Sequence, residues 1–300
     1  NQQTFNVEGN SDFYSRKYTA SHFLDFNVTD WLSIGLFETV IWQHKENNYT
    51  RGFDVNYVNP VVFYRPVEFS LGSSDNVMIG ANLKIKPFKK GVLYSQLLFD
   101  ELLVSELRAD FSQLFSSEDI QSGWWGNKYG LQFGYKHYDI FNIKGFFAQF
   151  EYNLVRPFTY AHSSPTQAYS HYNMPLAHPL GANFKEFIAI VNYQKKKWTL
   201  KGTYVNTFQG ISPLGFNFGE NVELSNQSRE KEYENYIGQG ITTTVNYVDL
   251  YLSYTFQEAW KASIAIGTVY RGQLQEGKYT NNKMIYLSVR TNLFNQYFDY

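Results

Sequence analysis

Apolar and polar residues alternate along most of this chain with a period of two. The stretch "KYGLQFGYK" sets Tyr129, Leu131, Phe133 and Tyr135 on one side and Lys128, Gly130, Gln132, Gly134 and Lys136 on the other. "GFFAQFEYNL" sets Phe146, Ala148, Phe150, Tyr152 and Leu154 against Phe147, Gln149, Glu151 and Asn153. "DNVMIGANLKIK", "VDLYLSYTF" and "MIYLSVRTNL" behave in the same way. Neighbouring side chains of an extended strand point to opposite faces, so the pattern predicts strands with one apolar face. Roughly eleven such strands can be read, near 17–28, 31–44, 75–86, 91–101, 126–137, 144–155, 184–195, 197–207, 243–256, 260–271 and 282–293.

The two faces differ in kind. The polar side carries Lys84, Lys128, Lys136, Glu151, Lys201, Asp249 and Arg290. The apolar side is aliphatic in mid-strand and often aromatic near the ends, as a lipid belt with aromatic girdles would be. The fold class expected is therefore all-β, a transmembrane antiparallel β-barrel, with Leu131, Phe133, Phe150, Leu252 and Leu287 facing lipid. Connections fit that reading. Short turns at "TDW", "KPFKKG", "YDIFNI", "QKKKW" and "FQEAW" alternate with longer loops at 45–74, 102–125, 156–183, 208–242 and 272–281. Outer-membrane barrels have short periplasmic turns and long extracellular loops. Tyr300 then falls on the periplasmic side and Asn1 on the extracellular side. Residues 1–300 thus read as the C-terminal part of one barrel whose native N-terminal strands are missing.

Composition narrows the classes. Aromatic residues make up 19%, including 25 Tyr and 26 Phe, which suits strands and membrane interfaces. There is no cysteine, which excludes disulfides and thiolate metal sites. A net charge of -1 gives no electrostatic case for nucleic acid. Apolar runs such as "FIAIV" fall far short of the roughly 20 residues of a membrane helix. A mean hydropathy of -0.40 suits a barrel with a polar interior.

Candidate chemistry lies in the loops. Residues 57–76 are apolar and aromatic, and are expected to fold back into the barrel mouth. "DELLVSELRADFSQLF", residues 100–115, has apolar positions at helical spacing, with Glu101, Glu106, Arg108 and Asp110 as a solvated face. "GWWGNKYG" follows, with Trp124 and Trp125 expected on opposite sides of an extended segment. Residues 156–183 hold His162, His171 and His178, three of the six histidines, together with Phe158, Tyr160, Tyr169, Tyr172 and four prolines. Their spacing, with no acidic residue between, does not suit a metal site, and none is expected. Ser170 beside His171 would make a hydrolase only with partners from elsewhere. Rings, imidazoles and hydroxyls suit stacking on sugars and bonding to them. Trp124, Trp125, Tyr160, His162, Tyr169, His171, Tyr172 and His178 are the ligand-binding candidates. Packing of the loop is the competing role for these residues. No catalytic residue and no cofactor is expected. The fourth loop, 214–240, reads as charged, mobile and exposed.

A family resemblance can be read at these loops. "NPVVFYRPVEFSLGSSDNVMIGANLKIK", "LYSQLLFDEL", "GWWGNKYGLQFGYK", "RPFTYAHSSPTQAYSHYNMPLAHPLGAN" and "VRTNLFNQYFDY" resemble the RemB-type gliding-motility proteins of the Wzi-like capsule-assembly family. The resemblance spans nearly the whole chain. It implies an outer-membrane barrel of about eighteen strands, loops facing the cell exterior, and an N-terminal region, partly helical, that this sequence lacks. For function it implies a non-enzymatic surface protein that holds polysaccharide, linked to capsule assembly or gliding motility. The alternative partner is a barrel of a larger gliding or type IX secretion complex. A diffusion channel is a third reading. The mixed charges of the polar face argue against a selective pore, which more often shows one sign.

Overall fold

The computed structural model describes residues 2–5, 14–46, 49–58, 75–101, 104–115 and 121–291. Its strands are β1 (Gln2–Phe5), β2 (Tyr14–Thr29), β3 (Leu32–Gln43), β4 (Lys45–Glu46), β5 (Tyr49–Thr50), β6 (Asn76–Phe88) and β7 (Gly91–Glu101), then β8 (Lys128–Tyr138), β9 (Phe146–Val155), β10 (Ser170–His171) and β11 (Met174–Pro175). They continue as β12 (Phe184–Lys195), β13 (Trp198–Ile211), β14 (Ile241–Gln257), β15 (Ala262–Gln275) and β16 (Lys278–Arg290). Among the described residues one α-helix, α1 (Val104–Phe115), lies between β7 and β8, inside the segment whose spacing predicts it.

The fold is all-β. Twelve strands form one antiparallel sheet in the order β1-β2-β3-β6-β7-β8-β9-β12-β13-β14-β15-β16. Two hairpins, β4–β5 and β10–β11, stand apart from it. Eleven of the twelve are the long strands anticipated from alternation, and β1 adds a short edge. The sheet is not closed into a barrel among the described residues. Every step from β2 to β16 is antiparallel, so these two strands point the same way and cannot be antiparallel neighbours.

The register confirms the two faces. A single lateral row runs Asp25, Gly35, Asn82, Gln96, Gln132, Asn153, Glu186, Thr207, Val245, Gln273 and Thr280, each paired with the next. All of these lie on the polar face. Leu131, Phe133, Phe150, Leu252 and Leu287 lie on the other face and are exposed, from 37% for Leu131 to 73% for Leu287.

The apolar band crosses the hydrogen-bond ladder obliquely. The row through Phe133 passes Tyr152 and Phe187, then meets Asn206, Asn246, Gly272 and Asn281. On those last four strands the apolar row is Leu200, Leu252, Ile266 and Leu287, six residues nearer the short turns. A band that drifts in this way follows from strands tilted relative to it, as in a barrel.

Glycines on the polar face take rings from the neighbouring strand. Gly80 faces Phe37, Gly134 faces Tyr94 and Gly267 faces Tyr286, each as a direct cross-strand pair. A Cβ at Gly134 would lie 2.1 Å from the Tyr94 ring. Such pairs fit a ring flat against bare backbone and pin the register.

Three expectations are corrected. Residues 272–281 are not a loop: β15 and β16 run to a two-residue turn, Glu276–Gly277, with φ of 49° and 74°. Positive φ at both positions is the hairpin turn that matches strand twist. Apart from the Leu274–Tyr279 pair the strand ends there are polar, so alternation gives little signal. Residues 214–240 are not a mobile, exposed segment: Asn217, Val222, Asn226 and Asn235 are buried in it. Glu101 and Asp110 are not merely solvated, since Glu101 pairs with Lys128 at 3.3 Å and Asp110 holds Gly123, Asn127 and Arg156. Most of the apolar 57–76 stretch lies outside the described residues. Its start packs on the apolar face, where the Tyr57 ring lies 5.0 Å from Trp42.

Candidate functional site

The segment 156–183 lies across the polar face at the long-loop end of the sheet. Pegs from strand after strand hold it. Lys17 of β2 donates to the Ala168 carbonyl at 2.7 Å and to Ser170 Oγ at 3.2 Å. Gln43 of β3 accepts from Ser164 and Thr166. Asn76 of β6 donates to the Gln167 carbonyl, and Asp100 of β7 accepts from the Tyr160 N–H at 2.8 Å. Lys128 of β8 is fully buried between Asp100, Glu101 and the Ala161 carbonyl. Gln209 of β13 donates to the Leu180 carbonyl at 2.6 Å. All of these pegs but Gln43, which takes two side-chain hydroxyls, satisfy a backbone group that the irregular segment leaves without a ladder partner.

Two residues clasp this segment to its neighbours. Arg156 donates to the carbonyls of Asn127 and Trp124, and pairs with Asp110 at 3.7 Å. Asn183, with φ of 59°, donates through Nδ2 to the carbonyls of Gly210, Gln239 and Phe218. Its Oδ1 accepts from the Gly238 N–H at 2.8 Å. That side chain locks 156–183 to the 212–240 connection.

Beneath the segment is a cavity of about 360 Å³. Its aromatic walls are Phe23, Phe37, Tyr160, Tyr169 and Phe184, and its floor is the amide row Asn82, Gln96, Gln132 and Asn153. Phe23 belongs to β2 and Phe184 to β12, six strand steps apart. A flat sheet would separate those strands by roughly 29 Å at about 4.8 Å per step. Both reach the same cavity, as a sheet that curls round its polar face allows. A second cavity, of about 470 Å³, shares Phe23, Asn82, Gln96 and Gln132 and extends past Asp25 and Lys84.

The expected ligand-binding residues divide into two groups. Tyr160, Tyr169 and His178 line the cavity. His178 stacks on Phe184 at 4.4 Å and bonds Glu186 at 3.1 Å. Burial, with Asp100 beside it, raises the Tyr160 phenol above its ordinary range, so it stays neutral. The others lie elsewhere. Trp125 packs edge-on against Phe158 at 6.3 Å and beneath the Arg229 guanidinium at 4.2 Å. Trp124 does not point away from it: the two rings are 5.8 Å apart, because the chain turns here and is not extended. His171 and Tyr172 sit edge to face at 4.1 Å in the β10–β11 hairpin. Ser170 Oγ is buried and engaged by Lys17. His162 is held at Nδ1 by the Ser164 N–H, 3.2 Å away.

Among the described residues, no three His, Asp or Glu side chains gather as metal ligands. No protein-family model matches the chain, and no curated protein matches it. The amides Asn82, Gln96, Gln132 and Asn153 are the lining residues that motif reading missed. Their signal was present: they are the uncharged polar residues in mid-strand on the polar face. Only the register shows that they share one row.

Proposed function

We propose that this chain is part of an outer-membrane β-barrel that holds surface polysaccharide without reacting with it. One observation carries the reading: a curled sheet exposes an apolar band outward and encloses an amide-and-aromatic cavity on its polar face. Ligand cavities of such size with a few convergent polar groups are ordinary binding sites. The obliquely crossing band supports membrane placement, with the pegged segment at the cell exterior. The resemblance to capsule-assembly and gliding proteins points the same way. The test is retention of surface glycan by cells that lack the protein and carry either the intact chain or Gln96→Leu/Tyr169→Phe. The intact chain restores retention and the double variant does not, at equal outer-membrane abundance. Equal retention with both would sink the proposal.

A second reading, docking to a partner barrel of a gliding or secretion complex, draws on one feature. Leu214 is fully exposed and Phe216 half exposed on a turn, Pro213–Phe216, braced by Glu220 on Ser212. A rigid apolar tip suits insertion into a protein cleft. Leu214→Ser/Phe216→Ser is expected to reduce recovery of such a partner on co-purification. Unchanged recovery would remove this reading.

A further inference from the structure

The way the amide row is held fixes what it can offer a ligand. Gln132 Nε2 donates to Glu151 at 3.2 Å, and Asn153 Nδ2 donates to Glu151 at 3.0 Å and Glu186 at 3.1 Å. Carboxylates only accept, so they orient both amides with nitrogen towards the acid. Gln96 Nε2 is likewise used by Asn82 Oδ1, at 2.8 Å. Gln96 Oε1, Gln132 Oε1 and Asn153 Oδ1 are left to accept, and Asn82 Nδ2 with one N–H each of Gln96 and Gln132 is left to donate. Tyr160 and Tyr169 add phenols that both donate and accept. No Lys or Arg lines this cavity, its His178 is bonded to Glu186, and the carboxylates of Glu151 and Glu186 hold its floor amides from the same face. Lys84, on that face too, lines the second cavity together with Asp25.

We infer that the cavity takes a neutral, hydroxyl-rich saccharide unit and turns away acidic ones. This rests on the polysaccharide reading above and narrows it. Sugar hydroxyls both donate and accept, which matches the free oxygens and N–H groups of the amide row, and the rings give apolar faces for the sugar's C–H groups. A uronate or sialate carboxylate has no proton to offer. It would leave its solvent shell for a cavity with no Lys or Arg in its lining and with the carboxylates of Glu151 and Glu186 bonded to its floor.

The test uses the whole purified chain in detergent micelles and a glycan array. The array carries neutral hexose and N-acetylhexosamine oligosaccharides, with uronic-acid and sialylated oligosaccharides of equal length. Neutral glycans are expected to bind at least about tenfold tighter than acidic ones. Gln96→Leu, and Tyr169→Phe, which removes only the hydroxyl, are each expected to weaken neutral binding about tenfold or more. The thermal unfolding of the variants reports whether they fold. Equal or tighter binding of acidic glycans overturns the inference and leaves the polysaccharide reading standing. Neutral binding untouched by both folded variants overturns the assignment to this cavity. No binding to any glycan removes the polysaccharide reading and the inference with it.

Discussion

At the residue scale, two side chains of the pegged segment make separable predictions. Asn183 satisfies three carbonyls and one N–H in a site with no access to water. Asn183→Ala leaves these groups unpaired and puts alanine at a positive φ, so a loss of about 2–4 kcal/mol is expected. Limited proteolysis should then cut within 156–183 or 212–240 long before the sheet unfolds; unchanged resistance would refute the clasp. His162 gives a pH dependence. Burial first, and then the nearby Lys128 ammonium, lower its pKa to about 4 from 6.5. Between those values the unfolded chain binds more protons than the folded one. The stabilisation is therefore present above pH 6.5 and is lost as pH falls towards 4, by at most about 3 kcal/mol. Hydrogen exchange of the segment should accelerate across that window in the natural chain and much less in His162→Gln. Equal acceleration in both would mean that another group controls it. Neither role could be read from sequence: His162 looked like a ligand, and Asn183 looked like a loop residue. Their partners lie on strands and loops far away in the chain.

At the element scale, the strands were legible because alternation is a local property. β7 and β12 fall on the anticipated boundaries, and α1 lies where helical spacing placed it. The misses have physical causes. The β15–β16 hairpin end has little apolar signal beyond the Leu274–Tyr279 pair, so its tight turn passed for a loop. The 212–240 connection looked mobile from its charge and its Asn content, yet buried asparagines are what fix it in place. Asn side chains can both donate and accept, and so can replace a missing ladder. The glycine–ring pairs give this scale its own prediction. Gly134→Val should push the Tyr94 ring off the backbone and break its 2.6 Å bond to Glu151. A destabilisation of about 1–3 kcal/mol is expected, as for other overpacked sites. Stability equal to that of the natural chain would show that the ring has room to move.

At the scale of the whole molecule, the central claim is that one face of the sheet meets lipid while the other encloses the binding cavity. The face assignment followed from the sequence, since a one-residue slip would have exchanged every side chain. The curl did not, because it depends on which distant strands line one cavity. The odd number of long strands was legible, and β2 and β16 accordingly run in the same direction. No described helix is long and apolar enough to cross a membrane. Spin labels placed one at a time in protein reconstituted into liposomes test the claim most directly. Labels at Phe133, Leu252 and Leu287 should be reached by oxygen dissolved in the bilayer. Labels at their neighbours Gln132, Ser253 and Ser288 should not, which gives accessibility with a period of two. Uniform accessibility, or oxygen reaching the Gln132, Ser253 and Ser288 positions in place of the other three, would contradict the account.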